Sequence, residues 1–129
     1  MTINLLRESI CESSLLAKKL LWENIEYSRL DYLAKGKMPK SNAVVYAYFD
    51  EVGNCLYVGE TSRRIKSRMH DKRSPHKMAG WWDIWKTVRF IQVINRTDRL
   101  LLEFLLILAL QPKCNSKPAA REILSMFAS

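Results

Sequence analysis

One glutamate, Glu103, stands inside a run that otherwise reads as leucine, isoleucine, alanine and phenylalanine, LLLEFLLILAL over residues 100–110. A carboxylate in such company calls for a partner, a proton or a metal ion, because burying it bare is costly. Two tyrosines, Tyr46 and Tyr57, lie in apolar, β-branched stretches, AVVYAYF (43–49) and NCLYVGE (54–60). The third feature is charge. Residues 63 to 77 hold seven basic side chains (Arg63, Arg64, Lys66, Arg68, Lys72, Arg73 and Lys77) and one acid, Asp71, a local excess of +6 in a chain of net charge +8. A basic ridge of this kind can follow a phosphate backbone.

These residues act together only if the elements carrying them are suitably placed. The two tyrosine stretches read as strands of a hairpin around DEVG. If opposing residues sum to 103, Tyr46 faces Tyr57 and Phe49 faces Asn54, and both hydroxyls project from one face. Ser62 is expected to cap a helix running to Lys72, with Arg64, Arg68 and Lys72 along one stripe and Ile65 and Met69 on the opposite side. SPHKMAG reads as loop and WWDIWK as a short aromatic helix. TVRFIQVI (87–94) reads as a third strand, apolar on both faces and so central. Asn95 or Thr97 caps the leucine-rich helix, Pro112 ends it, and a short helix covers about 118–127. That leucine helix is apolar nearly all round and must be buried.

Upstream, residues 5–35 read as helix, with Leu16, Leu20, Leu30 and Leu33 at helical spacing. KGKMPKSN (35–42) is a break, with Gly36 and Pro39 as stop signals. The expected organisation is an N-terminal helical extension over 1–42 and a domain over 43–129. Its class is α/β, a small three-stranded antiparallel sheet with helices on both faces.

Composition narrows the setting. The 129 residues are 48% hydrophobic and 26% charged, as in an ordinary globular domain. The sequence pI of about 9.6 points to a polyanionic partner. Cys11, Cys55 and Cys114 are odd in number and widely spaced, which argues for a reducing, cytoplasmic compartment and against a disulfide framework. The start carries acids early and lacks a secretory pattern, and the apolar run 100–110 is short of the about 20 residues a bilayer needs. No membrane partner is expected. His70 and His76 lack companions for a zinc site.

Taken in order, the motifs resemble the GIY-YIG nuclease family. VVY (44–46) stands where the first motif ends in tyrosine, and YVG (57–59) matches the second. YVGETSRRIKSRM is similar to the family's run from that motif to its arginine, here Arg68. LLLEFLLILALQPKCN is similar to its glutamate helix, with a Q-P-x-x-N ending like that of the excision-repair members. The resemblance covers about residues 43–115. Val44 replaces a frequent glycine, and Lys72 stands where many members carry histidine.

The resemblance implies hydrolysis of a DNA phosphodiester with one divalent metal, usually magnesium, with manganese as a substitute. Glu103 would hold the metal, Arg68 would meet the phosphate and Tyr46 would be the general base. Tyr57 would position water or phosphate, and Lys72 would favour the phenolate by its charge. Arg63, Arg64, Lys66, Arg73 and Lys77 would line the DNA. Gly59 would permit close backbone approach and Asn115 would brace the helix end.

Each residue also has a structural reading: strand tyrosines that pack, an arginine in solvent, Glu103 paired with Arg99 one turn earlier, and Trp81, Trp82 and Trp85 as core. Two function classes therefore stand side by side. One is a metal-dependent DNA endonuclease, favoured by Tyr46, Tyr57, Arg68 and Glu103 occurring together. The other is a non-catalytic nucleic-acid-binding or regulatory protein on the same fold, kept open by Lys72. The N-terminal helices are expected to pack on the domain or to form a homodimer surface.

Overall fold

The structure, a computed structural model, describes residues 2–33, 41–65 and 80–115. Its centre is strand β2 (Asn42–Phe49), whose residues from Ala43 onward are all buried. β2 pairs antiparallel with β3 (Cys55–Arg64) on one side and with β4 (Thr87–Gln92) on the other. A two-residue strand, β1 (Tyr27–Ser28), pairs with Val88 and Thr87 and completes the order β1-β4-β2-β3. The sheet thus has four strands where the sequence predicted three. Two residues are too few to show alternation, so β1 was hidden in what reads as continuous helix.

Period-two alternation on β2 sorts the core into two layers. Val44, Tyr46 and Tyr48 join Tyr32, Trp81, Trp85, Val88 and Phe90 on one face. Val45, Ala47 and Phe49 join Ala17, Leu21, Val58, Leu106 and Ile107 on the other. The second layer is closed by helix α1 (Thr2–Trp22) and by the leucine-rich helix α3 (Arg96–Leu110), which pack on each other. As expected, Asn95 caps α3, its side chain accepting from the Asp98 amide at 3.0 Å. Gln111, at φ 47°, ends the helix just before Pro112 and donates its amide to Ile107.

The N-terminal segment differs from its sequence reading. α1 ends at Trp22 and a five-residue helix, α2 (Arg29–Leu33), follows β1. The buried residues of α1 are Ser14, Ala17 and Leu21, whereas Leu16, Leu20 and, on α2, Leu30 are exposed. Ser14, Ala17 and Leu21, not Leu16 and Leu20, mark the helix contact. α3 likewise keeps one open flank, with Leu101 57% exposed, so it is not buried all round. No helix among the described residues is long and apolar enough to cross a membrane.

Two arginines fasten this segment, one to the sheet and one to the tryptophan-bearing turn before β4. Arg89 on β4 donates to the carbonyls of Trp22 and Asn24 and to Glu26, with its guanidinium 4.8 Å from the Trp22 ring centre. Arg29 donates to the carbonyls of Trp82 (2.7 Å) and Trp85 (3.2 Å) and lies over the Trp85 ring at 4.8 Å.

Candidate active site

The hairpin register differs from the expected one by two residues. Tyr46 is opposite Gly59, Tyr48 is opposite Tyr57, and Phe49 is opposite Cys55. The turn therefore runs from Asp50 to Asn54. Asp50 accepts from the amides of Val52 and Asn54, and Gly53 takes φ 89°, a region open to glycine. A bulge between Tyr48 and Phe49 absorbs the odd residue. Because the shift is two and not one, side-chain parity survives and Tyr46 and Tyr57 still share a face.

The two phenol rings stack at 6.3 Å between centroids, tilted by 28°. Gly59 makes this possible. A Cβ at that position would lie 2.5 Å from the Tyr46 hydroxyl and 2.8 Å from Cε1 of Tyr57. Glycine lets the Tyr46 hydroxyl lie directly over the β3 backbone. Tyr46 is 1% exposed, while Tyr57 is only half-buried.

Beyond Tyr57 lies Trp81, in the 3-10 turn Gly80–Asp83 that replaces the expected short aromatic helix. Its indole is nearly parallel to Tyr57, at 5.1 Å and 8°. Tyr48 contacts Trp81 and Trp85 and donates its hydroxyl to Tyr32 at 3.2 Å. Burial, together with the neighbouring Tyr32, pushes Tyr48 well above the usual phenol range, and burial does the same to Tyr32. Both are neutral core hydroxyls.

β3 continues through Arg64, so Ser62, Arg63 and Arg64 are strand residues and not the first turn of a helix. Arg64 is therefore not on a common helical stripe with Arg68 and Lys72. Arg63 and Arg64 are exposed. Lys66, Arg68, Lys72, Arg73, Lys77 and the helix expected at 118–127 lie outside the described residues.

Glu103 sits on α3 with 6% exposure among Leu102, Leu106 and Ile107. It thus comes from the helix covering the face opposite the two tyrosines. Arg99, one turn earlier, is committed elsewhere: its Nε donates to Glu60 at 2.9 Å and its Nη1 to the carbonyls of Val93 and Ile94. The structure thus gives Arg99 a carboxylate on β3, a pairing that no sequence spacing announces. Among the described residues no three His, Cys, Asp or Glu gather as a metal cage. One carboxylate fits a hard cation that takes its remaining oxygens from phosphate and water.

Asn115 closes the arrangement. Its side chain accepts from the Val58 amide and donates to the Val58 carbonyl, both at 2.8 Å, while Lys113 and Cys114 donate to the carbonyls of Cys55 and Leu56. The tail after α3 is tied to β3 next to Tyr57.

No curated protein and no solved structure matches the chain. Residues 42–116, more than half of the sequence, match the family model described as a UvrC-like GIY-YIG domain. With two motif tyrosines stacked over the motif glycine and a buried glutamate on the following helix, the chain belongs to the GIY-YIG nuclease family.

Proposed function

We propose that the protein is a metal-dependent DNA endonuclease that hydrolyses phosphodiester bonds. The observation that carries this reading is the Tyr46–Tyr57 stack over Gly59, which sets two phenols side by side against the β3 backbone. The family membership supplies the reaction class.

In this reading Arg68 donates to the phosphate as negative charge develops there. Arg63 and Arg64, exposed at the end of β3, with Lys66, Arg73 and Lys77, meet the DNA backbone. The tyrosine pair takes the proton from the attacking water. Tyr46 is the base expected from the family pattern, but its 1% exposure against the half-burial of Tyr57 favours Tyr57 for the water-facing step. Tyr46 then fixes the stack from behind. A phenol's usual pKa is about 10, so a nearby cation, assigned to Lys72, lowers the cost of the phenolate. Glu103 holds a divalent cation, magnesium or manganese, which when bound supplies charge for the phosphoryl and leaving oxygens. Asn115 and Gly59 hold the β3 backbone on which Tyr57 stands.

The test is cleavage of plasmid and single-stranded DNA with magnesium, manganese or chelator. Wild type and Glu103→Ala run side by side, and their circular dichroism is compared. Metal-dependent cutting is expected, with the variant folded but slower by at least about 10²-fold. Salt-sensitive DNA binding without cutting by either protein replaces this reading with the non-catalytic binder. Undiminished cutting by the variant removes Glu103 from the site.

A further inference from the structure

The aromatic layer contains a second ordered series, running from the N-terminal segment to the candidate base. Arg29 opens it. Its Nη1 donates to the Trp82 and Trp85 carbonyls, and its backbone amide donates to Lys86 at 2.7 Å. These bonds reach into the turn Gly80–Asp83 at Trp82 and hold the residues just after it. The guanidinium also lies 4.8 Å from the Trp85 ring centre and 5.8 Å from that of Trp82. Trp81, in that turn, is 5% exposed and lies parallel to Tyr57 at 5.1 Å. Tyr46 also stacks on Tyr57, at 6.3 Å.

A tyrosine at χ1 and χ2 minima still swings through several ångströms at its hydroxyl unless its ring is held. Flanking rings hold it by dispersion and quadrupole contact. Of the described rings stacked on Tyr57, Trp81 is nearer and more nearly parallel than Tyr46, and it comes from a turn outside the sheet ladder, tied to β2 by the Lys86 amide on the Phe49 carbonyl and by packing on Tyr48. The turn's side-chain clamp is Arg29, a residue outside the matched family region.

We infer that Trp81 is a positioning residue for Tyr57 and that Arg29 holds Trp81 in register, making the segment around Arg29 a working part of the site. The inference rests on Tyr57 acting in phosphodiester cleavage, as proposed above. Trp81 touches the reacting tyrosine, not the substrate, so its loss acts on kcat.

The experiment compares Trp81→Leu, Trp81→Phe, Arg29→Met and, as reference, Tyr57→Phe. Plasmid cleavage gives kcat and KM, and fluorine NMR of protein labelled with 3-fluorotyrosine reports on the ring. The Tyr57 resonance is the one missing in Tyr57→Phe. Trp81→Leu is expected to lower kcat by about 30- to 100-fold with little change in KM, as for a misplaced catalytic group. Its Tyr57 resonance should shift and broaden as the stacked ring is lost. Trp81→Phe restores most of both signals. Arg29→Met, at a half-buried residue, moves them in the same direction by less and serves where Trp81→Leu fails to fold. If Tyr57→Phe abolishes cleavage while Trp81→Leu and Arg29→Met retain wild-type kcat and an unmoved resonance, Trp81 is packing alone and the inference is overturned. If Tyr57→Phe cleaves as wild type does, or if wild type does not cleave, the role of Tyr57 falls first and the inference falls with it.

Discussion

On one face of the sheet, β2 presents Val44, Tyr46 and Tyr48 to a layer of rings. On the other, Val45, Ala47 and Phe49 meet the mostly aliphatic sides of α1 and α3. Both layers are buried, yet they do different work. Aliphatic side chains attract through buried area and carry no directional group, so one well-filled arrangement serves as well as another. Rings with hydroxyls impose angles and distances on their neighbours, and that layer carries the stack beside Gly59. The division teaches that stability and positioning can be assigned to opposite sides of one strand. Ser14, Arg99 and Glu103 are the polar groups buried on the helices of the aliphatic side.

The strongest test of the division is Leu106→Ala, which empties a fully buried site on the aliphatic face. It should cost about 2–5 kcal/mol in chemical denaturation while cleavage per folded molecule stays near wild type. A selective loss of cleavage would break the comparison. Gly59→Ala tests the other face. Its methyl meets the Tyr46 hydroxyl, so about 1–3 kcal/mol should be lost, with cleavage falling further than stability explains.

Alkaline titration separates the faces by their buried acids. Burial pushes the Cys55 thiol, on the aliphatic side, from 9.0 up to about 12. Above pH 9 the unfolded chain releases that proton while the folded chain keeps it. The folded state therefore binds more protons, and stability falls with rising pH by up to about 1.4 kcal/mol per unit. Tyr48 and Tyr32 add the same sign only above their ordinary value of 10. Cys55→Ala should remove the decline that begins near 9 and leave the one that begins near 10, as read from denaturation midpoints. The smallest expected effect is a gain. Ala43, at φ 53° beside a bulge, sits in backbone space that favours glycine, so Ala43→Gly should stabilise by about 0.5–1 kcal/mol.

How far this was legible in the sequence depends on what leaves a local trace. The strand pair, the Asn95 cap and the helix stop before Pro112 leave one, because capping and chain reversal use particular residues at particular places. The hairpin register does not. Alternation records which face a residue takes but not which partner it meets, so a two-residue error passes unseen. β1 is too short to alternate, and Leu16 and Leu20 of α1 lie on its exposed side while Ser14, Ala17 and Leu21 mark the packed one. The clamps made by Arg29, Arg89 and Arg99 join residues far apart in sequence, and an arginine's partner is set by the fold, not by its neighbours. In the candidate site, the shared face of Tyr46 and Tyr57 was readable, whereas the Trp81 stack and the unequal exposure of the two tyrosines were not.

The bonds that Asn115 makes with Val58 have a consequence for how copies of the protein meet. β3 is an outer strand, and the free amides and carbonyls of outer strands template the addition of foreign strands. At Val58 a single side-chain amide answers both groups, and Lys113 and Cys114 answer Cys55 and Leu56 before it. The apolar half of the strand is thus occupied by the chain's own tail. The half beyond it exposes Arg63 and Arg64, which repel an identical strand. One carboxamide and two arginines thereby oppose the addition of a second copy's strand along this edge.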